Sequence, residues 1–349
     1  MLSLAQIRGA ILEEIVLILL EYVGYRVLDQ GDGEEIRNGH SGLELQGRGG
    51  WHQVDALASY DFTPSFIYPM RLIVEAKAYL PSRYNNHGKI RINVVRNAVG
   101  VLKDVNENYF SFGNFDDQYK LKRFNYAYAI FSLGGSTRIA QQYAIAHQIF
   151  IIQYYFNPLF DGIKKLLYKI SENNKILRNV HKDIKLTDIR KSVRDYLKND
   201  YFYNYYEYEI SDYFTDAGYE IIEDLKKELE KIKGSYLGLL NGMYPIHLVS
   251  SKPLSKIRED EIYARIHVSE NREREYVRLE FDGNELFFDL PLVIAEIFSK
   301  ILDNRRKIAE AKREYINYIT LTGKIDGITR NLIIRLDESW LENYLRSFK

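Results

Sequence analysis

Residues 51–60, WHQVDALASY, and 71–80, RLIVEAKAYL, decide how this chain is read. Both have the length and the Val, Ile, Leu and Ala content of β-strands, and the second runs through an apolar Leu72-Ile73-Val74 before Glu75-Ala76-Lys77. Residues two apart on a strand point to the same face, so Glu75 and Lys77 emerge side by side. If the two strands pair, Asp55 stands opposite them. Two carboxylates and an ammonium then share one place. With the carbonyl of Ala76, the carboxylates make a hard oxygen set suited to Mg²⁺, with Mn²⁺ as a substitute. Such an ion lowers the pKa of a bound water and neutralises charge building on a scissile phosphate. Lys77 is placed to orient that water or to stabilise the pentavalent phosphorus. A strand-end ion pair between Glu75 and Lys77 is the competing reading, because a charge following a buried run is costly unless paired. The same tripeptide recurs at Glu310-Ala311-Lys312, but in a helical pattern, where residues two apart diverge.

The pattern extends outward from these strands in both directions. Leu4, Ile7, Ile11, Ile15, Ile18 and Leu19 recur at helical spacing over 3–23, and Gly24 gives a stop. Gly31 to Gly50 is polar and Gly-rich, and two prolines interrupt the stretch between the paired strands. A helix is predicted over 89–106, a strand over 126–133, a helix opened by Gly134-Gly135-Ser136-Thr137 and running to His147, and a strand over 149–155. This order makes 1–158 one α/β domain. Residues 159–234 read as a helical, locally basic connector, with 11 Lys/Arg against 6 Asp/Glu between Asp161 and Asp200. That surplus fits either a nucleic-acid contact or a solvated helical face. A tyrosine-rich stretch over 201–218 fits packing or an interface better than base stacking, and a charged helix is expected over 223–233. Residues 235–349 read as an α+β recognition, sensing or oligomerisation domain. Its expected strands lie near 244–250, 261–268, 274–281, 285–289 and 330–336, with a long helix over 291–316.

Composition closes off several function classes. The 349 residues hold 48 basic and 48 acidic side chains and no cysteine. The balance excludes a wholly polybasic nucleic-acid binder, and the lack of cysteine excludes disulfides, Cys-ligated zinc, iron–sulfur clusters and thiol nucleophiles. The most apolar N-terminal run, Ile15 to Leu20, is flanked by Glu13, Glu14 and Glu21. It is far short of the roughly 20 residues that span a bilayer, so the expectation is a soluble, cytoplasmic protein with no membrane partner. There is no Walker-type phosphate loop, and the histidines show no paired zinc spacing.

Five features in order resemble the PD-(D/E)xK nuclease superfamily, and specifically its Mrr-type restriction endonuclease domain. They are LEEIVLILLEYVGYRV, ending in Gly24-Tyr25; GRGGWHQVDAL, leading into Asp55; IVEAK; a helix carrying RNAVGVL; and YAYAIFSLGGSTRIAQQYAIAHQIFII. The likeness covers roughly residues 5–155. It implies a restriction-endonuclease-like domain, with a mixed central sheet flanked by helices. By the resemblance, Asp55 and Glu75 are metal ligands, Lys77 is the catalytic lysine, and Glu13, or the adjacent Glu14, is the first-helix acid. Gln53, two residues before Asp55, is expected to share its face and touch the site or the DNA. The stretch Ser59 to Pro69 departs from the family pattern and reads as a long hairpin or a substrate-shaping loop.

The implied activity is Mg²⁺-dependent hydrolysis of DNA, in restriction or anti-phage defence, by a homo-oligomer that works alone or with a defence partner protein. Two alternatives stay open: a nuclease-fold subunit that only binds nucleic acid or assembles with a partner, and a nuclease acting on RNA, branched DNA or modified DNA. Arg48, in the loop Gly47–Gly50, and Arg96 are candidate phosphate contacts. Ser136, at a helix start, reads as a phosphate site or as part of an N-terminal cap. His52 reads as peripheral or as a proton donor behind the site.

Overall fold

A computed structural model describes residues 2–39, 42–63, 65–79, 88–112, 119–121, 123–173, 175–178, 185–198, 210–269 and 276–346. The chain opens with α1 (Leu4–Val23), begun by a capping box between Ser3 and Gln6 and ended by Gly24 at φ 112°. At that φ a side chain is disfavoured, so glycine is the natural terminator. The helix is apolar on every side, and a helix of that kind must be surrounded; from Ala10 to Leu20 all its residues are buried.

Next come β1 (Tyr25–Leu28), β2 (Ile36–Asn38), β3 (Leu43–Gln46), β4 (Trp51–Gln53), β5 (Ala56–Tyr60) and β6 (Met70–Lys77). They are followed by β7 (Lys89–Ile90), α2 (Ile92–Asn106), β8 (Phe110–Phe112), β9 (Tyr119–Leu121), β10 (Asn125–Ser132), β11 (Gly135–Ser136), α3 (Arg138–Ala146) and β12 (Ile149–Gln153). Five of these strands form one mixed sheet in the order β1-β5-β6-β10-β12. β1, β5 and β6 pair antiparallel, whereas β6, β10 and β12 run parallel. One face of the sheet packs Leu72, Val74, Ala76 and Phe131 against α1. The other packs Leu57, Ile73 and Ile130 against Val95 and Ala98 of α2 and Ala140 and Ala144 of α3.

The stretch 51–60 is not one strand. β4 belongs to a separate small sheet, β2-β3-β4, and the chain breaks at Val54-Asp55 before entering the main sheet as β5. The Gly-rich region thus contains two strands whose polar alternation hid them. The connection over 61–69 leaves β5 at the end of the strand pair away from Asp55. Met70 and Glu75 lie five residues apart on β6, about 16 Å at about 3.3 Å per residue. The antiparallel pairing of β5 and β6 makes Ser59–Pro69 part of a hairpin, as one of the two readings expects.

After a 3-10 turn (Pro158–Phe160), four helices follow: α4 (Asp161–Glu172), α5 (Leu186–Lys198), α6 (Ile210–Tyr213) and α7 (Asp216–Leu229). Their apolar faces join the α1 side of the core through Ile163, Leu167, Ile189, Val193, Ile222 and Leu225. Most of the tyrosine-rich stretch, 201–209, lies outside the described residues.

The C-terminal part holds β13 (Gly234–Leu240), β14 (Tyr244–Ser250), β15 (Glu261–Val268), β16 (Tyr276–Phe281), β17 (Asn284–Asp289), α8 (Leu292–Ser299), α9 (Arg305–Tyr315), β18 (Tyr318–Ile325), β19 (Ile328–Leu336) and α10 (Glu338–Arg346). Its seven strands close into a barrel, β13-β14-β17-β16-β15-β19-β18. The expected long helix over 291–316 is two helices, because Asn304 caps a new one by accepting from the Lys307 amide. The chain is therefore mixed α/β with several sheets, and among the described residues no helix is long and apolar enough to cross a membrane.

Candidate active site

The break before β5 is what positions Asp55. The last recorded pair between β5 and β6 is Ala56 with Val74, so Asp55 comes alongside Glu75 one step further on. Its carboxylate Oδ2 accepts the Ala76 amide at 2.9 Å, a bond that ties the side chain to the strand carrying both Glu75 and Lys77. The Lys77 Nζ lies 2.7 Å from Glu75 Oε1, and the Tyr128 hydroxyl donates to Glu75 Oε2 at 2.8 Å. Tyr128 reaches it because β10 runs parallel to β6 with Tyr128 beside Ile73, on the face that Glu75 shares. Glu75 is 12% exposed and Lys77 25%, so the group is sheltered yet open to a large substrate.

Glu13 and Glu14 sit in the third turn of α1, both buried. They are balanced by Arg190 of α5, whose Nε bonds Glu14 at 2.7 Å and whose terminal nitrogen reaches Glu13 at 2.9 Å. The same nitrogen donates to the backbone carbonyl of Asp55 at 2.7 Å. Arg194 completes the clasp on the other oxygen of Glu14, and Lys198 pairs with Glu21 at 2.6 Å. Three cations of the locally basic connector are thus turned inward onto α1.

Burial dominates the electrostatics. It pushes the Glu13 carboxyl up to about 8 in spite of Arg190, helped by the nearby negative charge of Asp55. Burial also raises Asp55, opposed by Lys77 and the Ala76 amide. For Lys77, burial favours the neutral amine, but Glu75 and Asp55 outweigh it and raise the ammonium above its usual range. The Tyr128 hydroxyl is held strongly protonated by burial and by Glu75, which keeps it a donor.

Among the described residues no three His, Cys, Asp or Glu side chains converge as a metal-holding group. The candidate donors are the carboxylates of Asp55 and Glu75 and the carbonyl of Ala76, whose amide donates to Asp55. Mg²⁺ characteristically takes one or two carboxylates and keeps several waters, a donor number these residues match, while both Glu75 oxygens here are engaged by Lys77 and Tyr128.

The other sequence candidates lie elsewhere. Gln53 is on β4, beside Glu44 in the small sheet, so the strand-face relation to Asp55 fails at the break. Arg48 pairs with Glu107 at 3.1 Å in a loop fastened to the end of α2. His52 bonds Asp104 at 2.7 Å in that same corner. Arg96 is exposed on α2, with its guanidinium 5.8 Å from the Tyr143 ring. Ser136 is 1% exposed and pairs with Ile90, while Thr137 next to it caps α3. A cavity of about 300 Å³ lies between the sheet and the barrel, lined by Tyr25, Tyr60, Leu72, Phe131, Leu237 and Thr320 among others, and none of the site acids faces it.

Tyr128 and Arg190 are the two members that the sequence reading missed. For Tyr128 the signal was its place on the strand beside IVEAK. For Arg190 it was the spacing Arg190, Arg194, Lys198, a cationic ladder matching Glu14 and Glu21 on α1.

No family model matches the chain, and no curated protein matches it. Among solved structures it is similar to AF1548, a protein of unknown function. That likeness has 16% identity and a TM-score of 0.29, and covers 63% of this chain and 91% of that one.

Proposed function

We propose that this chain is a Mg²⁺-dependent endonuclease that hydrolyses DNA phosphodiester bonds through Asp55, Glu75 and Lys77, on a restriction-endonuclease-like N-terminal domain. The observation that carries the reading is the Asp55–Ala76 hydrogen bond beside the Glu75–Lys77 pair. It brings residues from two separate sequence stretches into one acidic-and-basic cluster at a strand end. The order of α1, an antiparallel β1-β5-β6 unit, α2 and then the parallel β10 and β12 supports the same layout.

Asp55 and Glu75, with the Ala76 carbonyl, would hold the cation. When bound it supplies charge neutralisation at phosphorus and an acidified water. Lys77 is raised and stays cationic, so it offers a positive charge and hydrogen-bond donors to a phosphate oxygen. Tyr128 fixes one Glu75 oxygen, which narrows the directions in which the carboxylate can turn. Glu13 approaches the site from the helix side, paired with Arg190, its carboxyl pushed up by burial.

Restriction or anti-phage defence, self-association and a defence partner protein complete the proposal. The barrel is assigned to recognition, sensing or assembly. Incubating the full chain with supercoiled plasmid, phage DNA and RNA in Mg²⁺, Mn²⁺ or EDTA tests it. Metal-dependent DNA cutting that Asp55→Asn and Glu75→Gln abolish is expected. Cutting of RNA alone would overturn the DNA assignment, and cutting that survives both substitutions would overturn the site.

A further inference from the structure

Arg190, on α5, bonds both acids of α1 and the backbone of Asp55. Its side chain is 15% exposed and its guanidinium reaches three groups: Glu14 and Glu13 of α1, and the backbone carbonyl of Asp55 at the break before β5. A planar fork with several fixed donors suits such a bridge, whereas a lysine ammonium offers a single point charge. Arg194 lies one turn along α5 and shares Glu14, and among the described residues no bond from it to Glu13 or Asp55 is seen. Nature has thus placed two arginines side by side, one gripping the helix alone and one gripping the helix and the metal-ligand strand together.

We infer that Arg190 is a positioning residue for the candidate site, holding the Asp55 backbone against α1 so that the Asp55 carboxylate meets the Ala76 amide. The connector helix therefore completes a site that the α/β domain begins. This inference deepens the nuclease reading and rests on it for its functional meaning, but the contact it describes stands on its own geometry.

The Ala76 amide is a direct reporter, because its partner is the Asp55 side chain. Amide hydrogen exchange at Ala76 is compared in the full-length wild type, Arg190→Gln, Arg190→Lys and Arg194→Gln, with thermal unfolding of each as a folding control. Mg²⁺ binding is followed by calorimetry with the metal alone. Exchange at Ala76 is expected to rise about tenfold or more in Arg190→Gln, less in Arg190→Lys, and little in Arg194→Gln. Mg²⁺ affinity should weaken about 10–100-fold in Arg190→Gln, as for residues that orient metal ligands. If Arg194→Gln raises Ala76 exchange as much as Arg190→Gln does, or neither raises it, the inference is overturned and Arg190 is only a helix clasp. Should Arg190→Gln fail to fold, Arg190→Lys against Arg194→Gln decides by the same comparison. A wild type that binds no Mg²⁺ while Ala76 protection depends on Arg190 would sink the metal reading and uphold the positioning role.

Discussion

Glu75 answers to two neighbours at once, Lys77 along its own strand and Tyr128 across from it. The first contact is the one that the Glu-x-Lys spacing announces. The second requires knowing that residues 125–132 run parallel to 70–77 and in which register, and no local pattern carries that. Tyr128→Phe keeps the ring packed and removes only the donor. It is expected to lower the cleavage rate about 10–100-fold, the usual effect of losing a group that orients a ligand, with little change in thermal stability. A rate within twofold of wild type would mean that Glu75 needs no such support. Asp55 was legible as an acid opposite Glu75, but it was read inside a strand over 51–60, whereas it lies at the break between β4 and β5. Alternation along a single strand predicted Gln53 as its companion, but the chain breaks between them, so neighbours in sequence part into different sheets.

At the scale of elements, β6 is anchored at both ends by charge. Far from the site, Arg71 and Glu35 form an ion pair with side chains only 4% and 3% exposed, and Arg71 lies over the Phe124 ring at 3.5 Å. A buried pair is costly to break singly, because the remaining charge is stranded. Glu35→Ala is expected to cost about 3–5 kcal/mol, and adding Arg71→Leu to recover a large part of it; urea unfolding of the three proteins checks both. The turn after β10 is set by a close approach. A Cβ on Gly134 would overlap the carbonyl oxygen of Gly88, so Gly134→Ala must push apart the two segments that pair as β7 and β11. Helices and strands with a clean period were read correctly, including α1, β6, α2, β12, β14 and β15. β18 alternates cleanly, Ile319, Leu321 and Ile325 inward and Thr320, Thr322 and Lys324 outward, yet was not read as a strand. β2, β3, β13 and β18 are polar or glycine-bearing on one face, although each pairs antiparallel with a strand next to it in the chain. Pairing rather than composition makes them strands.

Across the whole molecule, the barrel meets the N-terminal sheet through buried polar groups. His247 joins the Tyr154 hydroxyl at 2.6 Å and Ser235 at 2.7 Å, and Ser235 in turn donates to the Leu19 carbonyl of α1. Asp289 accepts the Phe156 amide at 2.7 Å. Burial pulls the His247 imidazole down to about 3 and pushes the Asp289 carboxyl up to about 7. The signs then oppose. Unfolded His247 takes up a proton below about pH 6.5 and the folded form does not, so its contribution is lost as pH falls from about 6.5 towards 3. Folded Asp289 keeps a proton that the unfolded chain releases, so its contribution is lost as pH rises from about 4 to 7. Asp289→Asn should therefore flatten the decline on the alkaline side, and His247→Gln the decline on the acid side, in denaturant midpoints taken from pH 4 to 8. The closed barrel itself was not legible, because closure depends on β18 and β19 reaching both β13 and β15. The central claim remains the chemistry at the end of β6. It is tested most directly by comparing wild type and Lys77→Ala for Mg²⁺ binding and for plasmid cleavage in the same preparation. The expected result is that Lys77→Ala still binds Mg²⁺, because Asp55 and Glu75 are intact, yet no longer cuts DNA. Undiminished cutting by Lys77→Ala would contradict the account.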